Sequence, residues 1–173
     1  IIGIGEWALR AATAEAATWS KELSVAVNVS TCQLAQAQFL DTIVNALMDK
    51  GLDPRRLELE VTESALLDDA NLSILKAIND LGIRIALDDF GTGYSSLSYL
   101  QRFQFSKLKI DRSFIMNVPA HGKSKAIVRT VVELARTLGM RVTAEGVETA
   151  AQFEWIADNC DQVQGYYIAR PMP

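Results

Sequence analysis

Short runs of β-branched and other apolar residues alternate along the chain with longer amphipathic runs, and this alternation occurs about six times. Runs rich in valine, isoleucine and leucine that are bounded by polar residues are typical of strands. The longer runs carry apolar residues three and four positions apart, and several end at a glycine, which is typical of helices. Strands are predicted at 23–30, 57–64, 83–89, 107–111, 141–146 and 162–168. Helices are predicted at 4–22, 37–51, 71–82, 95–103, 123–139 and 150–159.

The spacing of apolar residues also predicts which side chains are buried. The helix at 123–139 has the clearest periodicity, and its predicted buried face consists of Ile127, Val131, Leu134 and Leu138. Large aromatic residues are expected in the core rather than in a ligand site. They are Trp7, Trp155, Tyr166 and Tyr167.

The alternation of strands with helices predicts a parallel sheet with helices packed against it. Such a sheet is either open and doubly wound or closed into a (β/α) barrel. The strands end in polar residues, namely Asn28, Glu60, Asp88, Asp89, Lys109, Glu145 and Gln164. In a barrel these ends meet at one mouth, where active sites lie, whereas in an open sheet they would spread along an edge. The pattern therefore favours the α/β barrel.

The number of predicted strands is smaller than a closed barrel needs. Barrels of this kind have eight strands in about 250 residues, and the chain offers six strands in 173 residues, beginning with a helix. We therefore expect residues 1–173 to form one domain that lacks the first two β/α units. Without these units two strand edges would be unpaired, which favours association.

Composition and charge exclude several classes of protein. Hydrophobic residues make up 49% of the chain and charged residues 22%, as in ordinary globular proteins. The net charge of −4 predicts no DNA or RNA partner, and no apolar run reaches the roughly 20 residues that span a bilayer. Cys32 and Cys160 have neither metal-ligand nor disulfide-framework spacing. A cytoplasmic location fits best, although a longer parent protein could be attached to a membrane.

The polar strand ends predict a site for divalent metal ions. Glu60, Asp88, Asp89 and Glu145 supply carboxylates and Asn28 supplies an amide oxygen. Hard oxygen ligands suit Mg²⁺ or Mn²⁺ rather than zinc or copper. Cations would also relieve the repulsion between the adjacent carboxylates.

The same residues are compatible with phosphodiester cleavage. A pair of metal ions is a common device for activating water and stabilising the leaving oxygen, and Lys109 could orient the water or neutralise charge that develops on the phosphate. The opposing interpretation is that single acidic residues at strand ends serve as helix caps or turn residues. The glycine-rich segment 91–96 lacks the lysine of a phosphate-binding P-loop.

The ordered motifs resemble those of the EAL domain family, whose members hydrolyse cyclic di-GMP. The resemblance extends from the first helix to the last residue. The motifs are VNVS, LELEVTES, ALDDFGTGYSSLSYL, LKIDRSFI, TAEGVET and VQGYYIARPMP.

The resemblance implies a TIM-like barrel that uses Mg²⁺ or Mn²⁺ in a two-metal site to convert cyclic di-GMP to linear pGpG. The implied metal ligands are Asn28, Glu60, Asp88, Asp89 and Glu145. The implied catalytic residues are Lys109, which positions water, Glu145 near that water, Gln164, and Glu63, which orders the site with the loop 90–96. The resemblance also implies a homodimer formed through that loop and an upstream sensor or cyclase domain in the parent protein.

One departure from the family pattern keeps other functions open. The Glu-Ala-Leu-x-Arg motif, which the family places on an early strand, does not occur in these 173 residues. The alternatives are therefore a cyclic di-GMP receptor without catalysis, an inactive fragment, and an unrelated metal-dependent barrel acting on another phosphate ester. We expect weak or no activity from residues 1–173 alone.

Overall fold

The computed structural model describes residues 1–20, 23–92, 97–118 and 122–172. The chain divides into two compact units, Ile1–Ala86 and Leu87–Pro173. Within the described residues, six strands follow one another as β1 Val25–Asn28, β2 Leu57–Thr62, β3 Arg84–Phe90, β4 Lys107–Ile110, β5 Arg141–Ala144 and β6 Gln162–Val163. The α-helices are α1 Ile2–Ala16, α2 Thr31–Leu34, α3 Phe39–Lys50, α4 Asp69–Asp80, α5 Leu97–Arg102, α6 Arg112–Ile115, α7 Gly122–Thr137 and α8 Ala150–Ala157. The described part of the chain also contains 3₁₀ helices at Pro54–Arg56 and Glu63–Leu67.

The first unit is built on the parallel pair β1 and β2. Val25 pairs with Leu57 and Asn28 pairs with Glu60, so the last residue of β1 lies beside Glu60, and β2 continues two residues further to Thr62. Helix α1 packs on α3 and β1. The guanidinium of Arg56 donates hydrogen bonds to the carbonyl oxygens of Ala16, Leu23 and Ser20 at 2.7, 2.7 and 3.0 Å. These bonds join the end of α1 and the residue two positions before β1 to the 3₁₀ helix that precedes β2.

The second unit contains the parallel strands β4, β5 and β6. Ile110 pairs with Ala144, and Ala144 also pairs with Val163. Helix α7 packs against β4 and β5 through the buried residues Val128, Val132 and Ala135.

The predicted alternation of strands and helices is confirmed. The strand order follows the sequence from β1 to β6. Strand β1 pairs in parallel with β2, and β5 pairs in parallel with both β4 and β6. The last strand is shorter than predicted, because the chain turns after Gln164. There the backbone NH groups of Ile168 and Ala169 both donate to the carbonyl oxygen of Gly165, at 3.0 and 3.2 Å.

The predicted buried face of α7 is wrong by one position. Ile127 is exposed, and the buried residues Val128, Val132 and Ala135 each follow a residue that we expected in the core. One helical position rotates a side chain by about 100°. The observed buried face therefore carries smaller side chains than the face that the spacing of the larger residues predicts.

The expected burial of the aromatic residues is wrong for three of the four. Trp7 is 70% exposed, Tyr166 55% and Tyr167 46%. Trp7 lies across α1 from the buried Leu9, since two positions differ by about 200° around a helix. Trp155 is half-buried. Aromatic size alone was therefore a poor guide to burial in this chain.

Among the helices of the described residues, none combines the length and the hydropathy that spanning a bilayer requires.

We predict that the two cysteines differ sharply in reactivity. Cys32 is exposed and Cys160 is buried. Burial, together with the charge of Asp161, raises the pKa of the Cys160 thiol to about 12, and only the thiolate is an effective nucleophile. Iodoacetamide at pH 8 should therefore alkylate Cys32 and spare Cys160, as measured by peptide mass spectrometry. Both should react in denaturant, and equal labelling of the native protein would contradict this prediction.

Candidate metal centre

In the first unit, Asn28 ends β1, and Glu60 lies two residues before the end of the neighbouring strand β2. They are register partners, and paired residues of parallel strands project their side chains to the same face. The ladder continues one residue further, because the Val29 NH donates to the Glu60 carbonyl oxygen at 2.8 Å. Glu60 is buried and Asn28 is exposed. The pair thus offers a carboxylate and an amide side by side.

The structure describes Glu63 but not residues 93–96 of the loop 90–96. Glu63 begins the 3₁₀ helix that directly follows β2 and is half-buried. Residues 93–96 lie outside the described part of the chain. The predicted pairing of Glu63 with this loop, and the dimer interface through it, remain predictions.

In the second unit, three carboxylates converge at the ends of β3 and β5. Ligand oxygens of Asp88, Asp89 and Glu145 all lie within 4.8 Å of one another. Hard oxygen donors at this spacing fit a divalent cation such as Mg²⁺ or Mn²⁺. The donor chemistry therefore agrees with the metal that the sequence predicts.

The backbone of Asp89 explains how two consecutive aspartates reach the same cluster. Successive side chains of a regular strand point to opposite faces, but Asp89 has a φ of 54°, in the left-handed region that costs a non-glycine residue roughly 1–2 kcal/mol. The Asp89 NH donates to Asp88 Oδ1 at 2.9 Å. Thr92 donates to the Asp89 carbonyl oxygen through its NH at 3.2 Å and its hydroxyl at 2.9 Å. These bonds hold the unusual conformation.

Lys109 places its ammonium between two of the carboxylates. Its Nζ lies 2.7 Å from Glu145 Oε1 and 3.1 Å from Asp88 Oδ1, and Lys109 is only 4% exposed. With all groups ionised, three negative charges and one positive charge leave the cluster at −2. A divalent cation would neutralise this remaining charge.

The electrostatics of Asp89 indicate the same need for positive charge. Burial raises the pKa of its carboxyl group, and the charges of Asp88 and Asp111 raise it further, while Lys109 lowers it. A bound cation would favour the ionised form of Asp89.

Asp111 is a neighbouring charge that the sequence did not assign to the site. It precedes α6, and its carboxylate accepts a hydrogen bond from the Ser113 NH at 2.9 Å. Although burial acts in the opposite direction, the bonds from Ser113 lower the pKa of Asp111. Its position as an aspartate two residues before Ser113 is a capping signal, but that signal does not indicate proximity to Asp89.

Gln164 lies beside Glu145 and is exposed. Its NH donates to the Ala144 carbonyl oxygen at 2.9 Å, and its own carbonyl accepts from the Val147 NH at 3.1 Å. Gln164 and Glu145 line a pocket of about 240 Å³ together with Arg112, Gly146, Glu148, Gly165 and Tyr166. The structure thus places Gln164 next to the acidic cluster, as a strand-end residue should be.

Comparison with known proteins identifies the family. The model for the EAL domain matches residues 1–171, and the chain belongs to the EAL domain family. It is 50% identical over 173 residues to an uncharacterized protein of Sinorhizobium fredii, covering 98% of this chain and 21% of that protein. It is 44% identical over 180 residues to the bifunctional diguanylate cyclase/cyclic di-GMP phosphodiesterase MucR of Pseudomonas aeruginosa, covering all of this chain and 26% of MucR.

Solved structures confirm the TIM-like α/β fold class. A structure of the PaMucR phosphodiesterase in a c-di-GMP complex has a TM-score of 0.94 and 45% identity, covering 99% of this chain and 72% of that one. A manganese/cy-diGMP complex of BlrP1 from Klebsiella pneumoniae has a TM-score of 0.83 and 31% identity, covering 95% of this chain and 42% of that one. The chain spans about a fifth to a quarter of the length of the first curated relatives that it matches.

We predict that Lys109 stabilises the second unit by offsetting part of the negative charge of the acidic cluster. Replacing Lys109 with methionine keeps the side-chain volume but leaves Asp88 and Glu145 without its charge. Removing one partner of a buried ion pair costs about 3–5 kcal/mol of unfolding free energy. Urea unfolding should show this loss in the presence of EDTA, and millimolar Mn²⁺ should reduce it.

The exposed Lys123 provides the matched control, because Lys123→Met removes the same charge from the start of α7. Its unfolding free energy should change by less than about 0.5 kcal/mol. Equal effects of the two substitutions would show that the Lys109 pairs contribute no stability.

Proposed function

We propose that the EAL domain containing this chain is a phosphodiesterase that hydrolyses one 3′–5′ bond of cyclic di-GMP to give linear pGpG. The observation that carries the proposal is the cluster of Asp88, Asp89 and Glu145 around Lys109. Membership of the EAL family and the likeness to cyclic di-GMP phosphodiesterases support the choice of substrate.

The proposed metal ligands are the oxygen-bearing residues at the strand ends. Asp88, Asp89 and Glu145 would bind a divalent cation in the second unit, and Asn28 and Glu60 would serve as ligands in the first. The metal would be Mg²⁺ or Mn²⁺ in a two-metal site, as the donor chemistry favours. When bound, such cations lower the pKa of water and stabilise the leaving oxygen.

The proposed roles of the remaining residues follow from their positions. The Lys109 Nζ, held 2.7 Å from Glu145 Oε1, would donate a hydrogen bond to the attacking water and stabilise negative charge on the phosphate. The Glu145 carboxylate would accept a hydrogen bond from that water and orient it. Gln164, beside Glu145, would bind the substrate, and Glu63 would order the loop 90–96.

The whole protein would act in bacterial second-messenger signalling. We propose an upstream sensor or cyclase domain, because one relative that this chain matches over only 26% of its length is a bifunctional cyclase and phosphodiesterase. We also propose a homodimer through the loop 90–96 and a cytoplasmic catalytic domain. The negative net charge argues against a nucleic-acid polymer as partner.

Turnover of cyclic di-GMP is the decisive test. The full-length protein that carries this chain should convert cyclic di-GMP to pGpG in the presence of Mg²⁺ or Mn²⁺, as followed by chromatography. EDTA should abolish the conversion and added metal should restore it. Binding of cyclic di-GMP without turnover would instead support the receptor alternative. Faster hydrolysis of another phosphate ester would overturn the choice of substrate.

We predict that neutral variants of the acidic cluster lose most of their activity. Asp88→Asn and Glu145→Gln each remove a ligand charge and one ionic partner of Lys109, while their shapes are preserved. Because loss of even an outer-shell partner costs about 10–100-fold in activity, kcat should fall by more than about 100-fold, with circular dichroism unchanged.

Asp158 offers a matched control in the same unit. It is exposed at the end of α8, and Asp158→Asn should leave kcat within about twofold of the wild-type value. A variant of Asp88 or Glu145 that kept more than a tenth of the activity would contradict its assignment.

A further inference from the structure

The turn after β5 carries Glu145 and is tightly enclosed on one side. Gly146 follows Glu145 with a φ of 68°, a left-handed conformation that favours glycine. A Cβ at this position would overlap the Cβ, Cγ and Cδ atoms of Arg112. The aliphatic part of Arg112 therefore lies directly on the backbone next to Glu145, where only glycine leaves room for it.

The head group of Arg112 is bound to the same turn. Its Nη2 lies 2.9 Å from Oε1 of Glu148, so Arg112 contacts the turn at two points on either side of Val147. Arg112 begins α6 and follows Lys109 by three residues. The contacts of Arg112 thus join the segment that follows Lys109 to the segment that follows Glu145.

A buried glutamine of α8 reinforces this connection. Gln152 is 6% exposed, and its Oε1 accepts hydrogen bonds from the NH groups of Glu148 and Thr149 at 2.8 and 3.0 Å. Its Nε2 donates to the carbonyl oxygen of Met116 at 3.2 Å. The turn after β5 is therefore fixed to the end of α6 as well as to its beginning.

We propose that Arg112 and Glu148 are positioning residues, which hold the Glu145 carboxylate at the correct distance from Lys109. This inference rests on the proposed phosphodiesterase activity. The pair would act through the two backbone segments that it joins, because the Lys109–Glu145 contact of 2.7 Å depends on the spacing of the ends of β4 and β5.

Because Arg112 and Glu148 are partly exposed, a positioning role can be distinguished experimentally from a contribution to folding stability. The side chains of Arg112 and Glu148 are 51% and 38% exposed, and ion pairs at such sites contribute little to folding stability. A small displacement of a catalytic group can nevertheless reduce the rate by about 100-fold. Loss of the pair should therefore lower kcat strongly and change the melting temperature little.

The test compares kinetics and stability in the full-length protein. Arg112→Ala, Glu148→Gln and the double variant should each lower kcat for cyclic di-GMP by about 10- to 100-fold, with KM within about threefold of the wild-type value. The kcat of the double variant should be no lower than that of the less active single variant, because the two residues act as one unit. Arg112→Lys, which keeps the aliphatic contact and the charge, should recover at least half of the lost activity.

The pair formed by Arg136 and Asp161 is the matched control. It belongs to the same unit, its side chains are 54% and 38% exposed, and it lies near the start of β5, since the Val142 NH donates to Asp161. Arg136→Ala should leave kcat unchanged and lower the melting temperature by as much as Arg112→Ala does.

Two results would overturn the positioning role. One is an unchanged kcat in both single variants. The other is a raised KM at unchanged kcat, which would mean that the pair binds the substrate in the adjoining pocket. Mn²⁺ titration calorimetry separates this inference from the proposed activity. If the wild-type protein does not hydrolyse cyclic di-GMP, the proposed function fails. The positioning role then stands only if Arg112→Ala weakens Mn²⁺ binding by at least about threefold relative to Arg136→Ala.

Discussion

Mutual repulsion among Asp88, Asp89 and Glu145 is the constraint around which the second unit is organised. Like charges within 4.8 Å in a largely buried site would otherwise favour protonation or separation of the strand ends. Lys109 offsets part of the repulsion through its two contacts, at 2.7 and 3.1 Å. A single ammonium reduces the repulsion and still leaves a net negative charge that attracts divalent cations. A fully neutralised cluster would be more stable but would have less affinity for a metal.

The fold supplies this arrangement by aligning strand ends rather than by local sequence. Parallel pairing places Ile110 beside Ala144, so the residues at the ends of β4 and β5 emerge together. The Glu145 NH donates to the Ile110 carbonyl oxygen at 3.1 Å, which extends the ladder past the end of β5. Side-chain geometry that is set by a hydrogen-bonded ladder is more rigid than geometry set by a loop.

Much of this could be predicted from the sequence, for a physical reason. Apolar strands that end in a polar residue are readable from periodicity alone, and this identified residues at or within two positions of the carboxyl ends of strands, namely Asn28, Glu60, Asp88, Lys109 and Glu145. The adjacency of Asp88 and Asp89 was visible too, but not the left-handed backbone that aims both side chains at one cluster. Periodicity predicts which face a regular strand presents, and it fails where the backbone leaves the regular conformation.

The residues that the sequence did not reveal act through contacts that are distant along the chain. Thr149 and Gln152 have the spacing of a capping box, which the structure contains. Nothing in that motif indicates that Gln152 also binds Met116, 36 residues earlier. The fit of Arg112 against Gly146 likewise requires the start of α6 to meet the turn after β5, and a glycine that follows an acidic residue occurs in turns of many kinds. The strand ends thus supply the charged groups of the acidic cluster. Packing between α6 and the turn after β5 fixes how far apart these groups lie, and that packing is visible only in the folded chain.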